Sequence, residues 1–383
     1  MPRDDALLAG LRAQARTVQP RTVALRRAVH RRPELGLDLP TSRDAVLDAL
    51  ADLPLQVHLG RSVTSVVAVL EGARSGPTVL LRGDMDALPL HEDTGLEFAS
   101  EIPGAMHACG HDTHVAMLAS AARVLADHRE DIAGRVLLMF QPGEEGHHGA
   151  RYMIEEGLLV EHGRPDAAYA LHISSTVPTG ELQTRAGPVM AAADVLRVTV
   201  TGRGGHASAP HDALDPVPAA AAMVGALQVA LTRRIDAPHP VVLTIAHIRA
   251  GTTNNVIPET AFLEGTLRTL SGPVRARLLE EIDRVCLHTA LAHGCTAEVE
   301  IEPGYPVTVN DADAAGEVSA LAVDLLGRKR VVEMVAPIMG AEDFSYVLGE
   351  VPGALAFLGG CPPGLDPVSG PPHQYHHVVF DES

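Results

Sequence analysis

The stretch TVLLRGDMD, residues 78 to 86, decides how the chain is read. Thr78 to Leu81 form a short apolar, β-prone run, and Arg82, Asp84 and Asp86 follow at once. A run of this length suits a buried strand, and charged groups at its end suit a site at the carboxyl edge of a sheet. The same design recurs twice. RVLLMF (135–140) leads into Gln141, Pro142, Gly143, Glu144 and Glu145, and AAYAL (167–171) ends at His172. These strand ends are expected to share one rim.

Working outward, helical segments alternate with the strands: LLAGLRAQARTV (7–18), RTVALRRAVHRR (21–32), TSRDAVLDALAD (41–52) and MLASAARVLADH from about 115. Alternation of this kind indicates an α/β sheet. From about 190 the pattern changes to strand, helix, two strands, helix and strand, running from DVLRVTVTG (194–202) to CTAEVEIEPG (295–304). That order is the split βαβ, or ferredoxin-like, arrangement. The tail returns to helix (AAGEVSALAVDLLGRKR, 314–330) and strand (GALAFLGG, 353–360). The expected organisation is therefore a first part of a catalytic domain at 1–189, an inserted α+β domain at 190–303, and the rest of the catalytic domain at 304–383.

Composition narrows the function. Acidic residues outnumber basic ones 48 to 30, a net charge of −18 with histidine neutral, which argues against nucleic acid or an anionic membrane as the main partner. The start MPRDDALLAGLRAQARTV lacks an apolar signal region, and no 18-residue apolar run occurs elsewhere, so a cytoplasmic location is expected. The four cysteines, Cys109, Cys286, Cys295 and Cys361, show no CxxC pairing, which disfavours a zinc ribbon or a disulfide framework. With no tryptophan and six phenylalanines, the core rests on Leu, Val, Ala and Ile.

MHACGHDTH (106–114) places a cysteine, an aspartate and His107, His111 and His114 in one loop ahead of a helix. Any one of these residues alone is more often a core or surface group. Together with the carboxylates and His172 on the rim they match the thiolate, imidazole and carboxylate donors of divalent ions. Cys109 and His111, two apart, could both reach metal, and Glu145 and His172 would add ligands. Of the adjacent pair Glu144 and Glu145, one can ligate while the other faces substrate as a general base. A rival reading makes Cys109 a nucleophile with His111 or His107 as base, but it leaves Glu144, Glu145 and His172 without a role.

HRRPELGLDLPTS, RGDMDALPL, MHACGHDTHVAML, QPGEEGHHGARYMIEEG, LHI, GRGGHASAPHDALDPV, NNVIPE and MGAEDFSYV follow one another along the chain. In content and order they resemble the M20 family of dinuclear metallopeptidases, which contains the aminoacylases and glutamate carboxypeptidases. The ACGHD version is similar to its amidohydrolase branch of hippurate hydrolases, N-acyl-amino-acid amidohydrolases and auxin-conjugate hydrolases. The likeness runs from about residue 20 to 381. It implies an α/β catalytic domain of the dinuclear-metal aminopeptidase type with an inserted ferredoxin-like lid that forms a homodimer or larger homo-oligomer.

The same resemblance implies two divalent ions per subunit, zinc, manganese, cobalt or nickel, held by Cys109, His111, Glu145, His172 and a tail histidine. In HHVVFD that histidine is His376, with His377 as its rival. Glu144 corresponds to the general base and Asp86 to the carboxylate that orients a ligand or the base. His206 corresponds to a carbonyl-polarising histidine of the lid, and Asn255 and Arg268 to groups that hold the substrate carboxylate. The implied reaction is hydrolysis of an N-acyl amino acid to a carboxylic acid and a free amino acid. A dipeptidase or carboxypeptidase of the same family is the alternative, and a non-catalytic binding protein is disfavoured by the retained Glu144. Gly143 stands where this branch usually has alanine, and glycine is expected to loosen the loop.

Overall fold

The computed structural model describes residues 5–383, so the first four residues of the signal-region reading lie outside them. The chain divides into two compact units, residues 1–189, 309–336 and 343–383 in one and 190–308 with 337–342 in the other. The second boundary falls after Thr308 rather than after 303. Residues 337–342 join the inserted unit because the Ala191 amide donates to the carbonyls of Ile338 and Gly340.

The first unit is built on an eight-stranded sheet in the order Gln56–Leu59, Val66–Glu71, Ala133–Gln141, Arg74–Asp84, Ala167–Pro178, Gly353–Cys361, Leu182–Thr184, Val331–Glu333. Its centre is parallel: Arg74–Asp84 pairs in that sense with both Ala133–Gln141 and Ala167–Pro178, which in turn pairs with Gly353–Cys361. These central strands read as near-continuous apolar runs because they are covered on both faces. Helices Asp5–His30, Pro40–Leu50 and His111–Asp127 supply one cover, with Val29, Leu39, Val46, Val115 and Leu118 buried against Val66, Ala68, Leu138 and Phe140. Each such side chain contributes about 1.5–3 kcal/mol by leaving water.

Two details depart from the sequence reading. The expected pair of N-terminal helices is one helix, Asp5–His30, that continues through Pro20. Proline forfeits one helical hydrogen bond, but the following turns are held from outside by the Thr22 to Ser120 hydroxyl contact of 2.6 Å and by burial of Arg26, Val29 and His30. The loop at MHACGHDTH is also shorter than expected, because the helix begins at His111. Gly110 precedes it at φ 87, a conformation that costs glycine little. A Cβ there would stand 2.3 Å from Ile173. Asp112 in the first turn suits the positive end of the helix.

The second unit is a four-stranded antiparallel sheet in the order Val241–Ala250, Thr260–Thr269, Ala192–Thr201, Thr296–Pro303. Helices Pro216–Arg234 and Gly272–Ala292 pack on it through Ala219, Met223, Leu227, Leu278, Ile282 and Cys286 against Leu196, Val198, Leu263 and Leu267. This connectivity is the split βαβ order. Asp215 starts the first helix by accepting from the Val217 amide at 2.9 Å, with Pro216 at the first helical position.

Beneath the start of His111–Asp127 lies a buried ionic cluster. His30 Nδ1 contacts Asp112 at 2.9 Å and Nε2 contacts Glu92 at 3.2 Å. Burial of the ring pulls its pKa down, but Asp112 and Glu92 outweigh this and raise it to about 9 from 6.5. The fold therefore favours the charged ring. That stabilisation is complete below pH 6.5 and is lost as pH rises through 9, a loss of order 3 kcal/mol. His30→Asn is expected to flatten the fall in urea midpoint between pH 6.5 and 9. An unchanged slope in the variant would assign the pH dependence to other groups.

Candidate metal centre

The site begins with strand register. Asp84 lies opposite Gln141 in the parallel pair of Arg74–Asp84 and Ala133–Gln141, and the Met85 amide donates to the Gln141 carbonyl at 2.8 Å. The two chains therefore leave the sheet side by side. Asp86, buried, accepts from the backbone amides of Glu144 and Glu145, each at 2.9 Å. One carboxylate thus fixes the backbone of both glutamates. Gly143 makes the turn possible: its φ is +68, and a Cβ would lie 2.4 Å from the Leu37 side chain. The expectation that this glycine loosens the loop is reversed, since the position is already left-handed and crowded.

On this frame the donor atoms converge. His111 Nδ1 donates to the Asp86 carbonyl at 2.8 Å, and His172 Nδ1 to the Ile173 carbonyl at 2.6 Å. Because a carbonyl can only accept, both rings carry a proton on Nδ1, which makes Nε2 of the neutral ring the atom that could meet a metal. Cys109 Sγ is 3.5 Å from His172 Nε2. Donor atoms of Cys109, His111 and His172 lie within 4.8 Å of one another, and so do those of His111, Glu144 and Glu145.

The electrostatics are those of a donor set suited to a cation. Burial, then the Glu145 charge, pushes the Cys109 thiol well above its ordinary value. Burial raises Glu145 to about 7, with Asp86 adding to it against His111. Burial, His114 and His373 push His172 well below the usual range. His111 goes the other way: Asp84 and its other acidic neighbours overcome the effect of burial and raise it. His111 Nε2 and Glu145 Oε1 are buried without a hydrogen-bond partner. A divalent ion would offset the carboxylates, favour the thiolate and take up both orphaned atoms. The residues fit a metal.

Not every residue singled out from the sequence joins this group. His114 is spent on structure, with Nδ1 bonded to Asp84 and Nε2 accepting from the Ile173 amide at 2.7 Å. His107 is buried 6.1 Å from the His30 ring and belongs to neither donor group. His376 packs at a tilt against Tyr375 and His377, at 4.4 and 4.1 Å between centroids, and is not in the groups that converge within 4.8 Å among the described residues. His377 bonds to the Asp93 carbonyl. The tail histidine beside the donors is His373, its ring 5.3 Å from that of His172.

Asp84, placed on the rim by the sequence but given no role there, also joins this cluster. Its carboxylate contacts Arg82 at 2.6 Å, lies 3.4 Å from His111 Nε2 and bonds to His114. Its signal was available: it stands two residues before Asp86 at the same strand end. Arg82 and Gln141 are joined in turn to Asp343, a residue that no local spacing connects to them.

The three residues expected to face substrate lie in the second unit. His206 and Asn255 are brought together there: Val256 pairs with His206 and the Ala207 amide donates to the Asn255 carbonyl at 3.0 Å. His206 does not cap the helix that follows, because Asp215 does. Its Nδ1 accepts from the Ser208 amide at 3.1 Å and contacts the Ser208 hydroxyl at 2.7 Å. Arg268 lies on Thr260–Thr269, opposite Val242 and Ala193, and burial lowers its pKa despite nearby Asp194.

Comparison with known proteins agrees with this geometry. Residues 80–383 match the model of peptidase family M20/M25/M40. The chain is 39% identical over 357 residues to thermostable carboxypeptidase 1 of Saccharolobus solfataricus, covering 92% of this chain and 89% of that protein. It is 38% identical over 341 residues to IAA-amino acid hydrolase ILR1-like 2 of Arabidopsis thaliana, covering 88% and 76%. Among solved structures, a Bacillus subtilis dinuclear metal binding peptidase of the M20 family superposes with a TM-score of 0.82 at 30% identity, covering 96% of this chain and 94% of that one. The chain belongs to peptidase family M20/M25/M40 and is a hydrolase of amide bonds.

Proposed function

We propose that the protein is a dinuclear metal amidohydrolase that cleaves N-acyl amino acids, such as N-acetyl or N-benzoyl conjugates, to a carboxylic acid and a free amino acid. The observation that carries this is that His111 belongs to two converging donor groups, one with Cys109 and His172 and one with Glu144 and Glu145, while both histidines spend Nδ1 on a carbonyl. Cys109, His111, Glu145 and His172 would hold the ions. His376, with His377 as rival, is the tail ligand by resemblance. Thiolate and imidazole suit zinc, and the carboxylates also admit manganese, cobalt or nickel. Bound there, divalent ions acidify water and polarise a carbonyl. The solved M20 relative is itself described as dinuclear.

Glu144 is the general base. Its carboxylate takes a proton from the attacking water and returns it to the departing amine nitrogen, restoring the starting state. Asp86 holds that carboxylate in place through the backbone. His206 supplies a hydrogen bond to the oxyanion: with Nδ1 accepting from the Ser208 amide, the neutral ring carries its proton on Nε2. Such a donor is worth about 3–4 kcal/mol in the transition state. Asn255 and Arg268 hold the substrate carboxylate. A second reading, a metallocarboxypeptidase or dipeptidase, is favoured by the carboxypeptidase relative. Assay of the metal-reconstituted protein on N-acetyl, N-benzoyl and dipeptide substrates separates the two, and silence on all three would refute both.

The lid role of the second unit implies a homodimer or larger assembly. Val241–Ala250 is an edge strand with exposed Val242 and Ile248, a surface that a symmetry mate can pair with.

Glu144→Gln is expected to keep its metal content, read by elemental analysis, and to lose about 10²- to 10⁴-fold in kcat. Near-normal turnover in metal-replete variant would remove Glu144 from the role. Metal is expected to protect Cys109 from alkylation, with Cys286, Cys295 and Cys361 as internal controls; equal labelling of apo and loaded protein at Cys109 would exclude a thiolate ligand. His206→Ala is expected to lose kcat without losing metal. Mixed with Glu144→Gln under subunit exchange, it is expected to regain part of the activity, because the family resemblance has this histidine reach the neighbouring subunit's site, so that the heterodimer holds one site with both groups. No recovery despite proven exchange would confine His206 to its own chain.

A further inference from the structure

Arg26 lies on the first helix, far in sequence from every donor, and is 3% exposed. Its guanidinium has two sets of partners. Nε donates to Asp112 at 3.0 Å, and Asp112 directly follows His111. Nη1 donates to the Phe380 carbonyl at 3.2 Å and lies 3.1 Å from Glu382. The planar fork thus grips the start of the helix that carries His111 and the tail at the same time, a geometry suited to arginine and not to lysine.

The tail that it grips covers the donor loop. The Gln374 amide donates to the Ala108 carbonyl at 3.1 Å, and the Phe380 ring closes over Gly110, where a Cβ would meet it at 3.1 Å. Met106, Ala108, Ile173, Val378 and Phe380 form one buried cluster. His373, 5.4 Å from Phe380, faces His172. Arg27 makes an outer contact to Glu382, at 2.6 Å and half-exposed. It touches neither Asp112 nor Phe380 in the contacts that define the clamp, so it serves as an internal comparison.

We infer that Arg26 is a positioning residue of the metal centre: by joining Asp112 to the Phe380–Glu382 segment, it holds the backbone around Cys109 and His111 in ligating geometry. The inference rests on the reading of the cluster as a metal site. Loss of a partner behind the ligands commonly costs about 10- to 100-fold in metal affinity. A purely structural role would lower stability and leave the affinity of the folded protein alone.

The test is competition for Zn²⁺ between the metal-free full-length protein and a chromogenic chelator. Arg26→Lys is expected to weaken binding by at least about tenfold while unfolding cooperatively, and Arg27→Gln to stay within about twofold of the unaltered protein. Unchanged affinity in folded Arg26→Lys, or an equal loss in Arg27→Gln, overturns the inference. If Arg26→Lys does not fold, amide exchange in the unaltered protein decides. Zn²⁺ is then expected to slow exchange in residues 106–114 and also in 22–30, and protection that stops at the donor loop overturns the clamp. Failure of the unaltered protein to bind Zn²⁺ or Mn²⁺ would instead refute the metal reading itself.

Discussion

The carboxylate of Asp86 is the contact on which the site depends. It accepts from two consecutive backbone amides, those of Glu144 and Glu145, while its own carbonyl accepts from His111. Three chain segments are fixed by one buried residue. Hydrogen bonds to a charged acceptor are roughly twice as strong as neutral ones, and here they restrain backbone directly. The loop shape is consequently set through the backbone and not through the glutamate side chains.

Around that contact the outer polar atoms are satisfied, while His111 Nε2 and Glu145 Oε1 are buried without a hydrogen-bond partner. Both donor histidines spend Nδ1 on a carbonyl, and His114 spends both nitrogens. What is left inward is a thiol, carboxylates and the two Nε2 atoms, and the carboxylates repel one another unless positive charge joins them. Arg82 and the raised His111 offset part of this through Asp84. The rest is the electrostatic basis for a cation.

Much of this was legible in the residues. The strands leading into Asp86 and into Glu144 with Glu145 could be placed on one rim because short apolar runs stop abruptly at charged residues, whereas the run that reaches His172 does not stop there: Ala167–Pro178 continues past it. The β-α-β-β-α-β order of the inserted unit followed from alternating periodicity. Other features were hidden because they depend on backbone conformation or on distant pairing. Nothing local shows that Gly143 is left-handed, that the helix starts at His111, or that Pro20 leaves the first helix unbroken. Residues 337–342 return to the second unit through backbone bonds to Ala191, which carry no side-chain signature. Asp84 was readable in principle, but its partners Gln141 and Asp343 meet only through the fold. For the tail, composition marked a histidine-rich segment, and which ring faces inward depends on the turn around Gln374, a non-glycine residue at φ 62.

The cover that Phe380 and the Gln374 backbone place over the donor loop has a consequence for synthesis. Its contacts join residues about 26, 108 and 380, so the sequence separation between Arg26 and the Phe380 carbonyl is 354. During translation the helices and the parallel strands can form while the loop around Gly110 still lacks its roof. The donor loop is then uncovered, and it becomes enclosed only when the segment after residue 370 joins it. Closure of the donor loop is therefore a late, long-range step of folding and not a property of the loop itself.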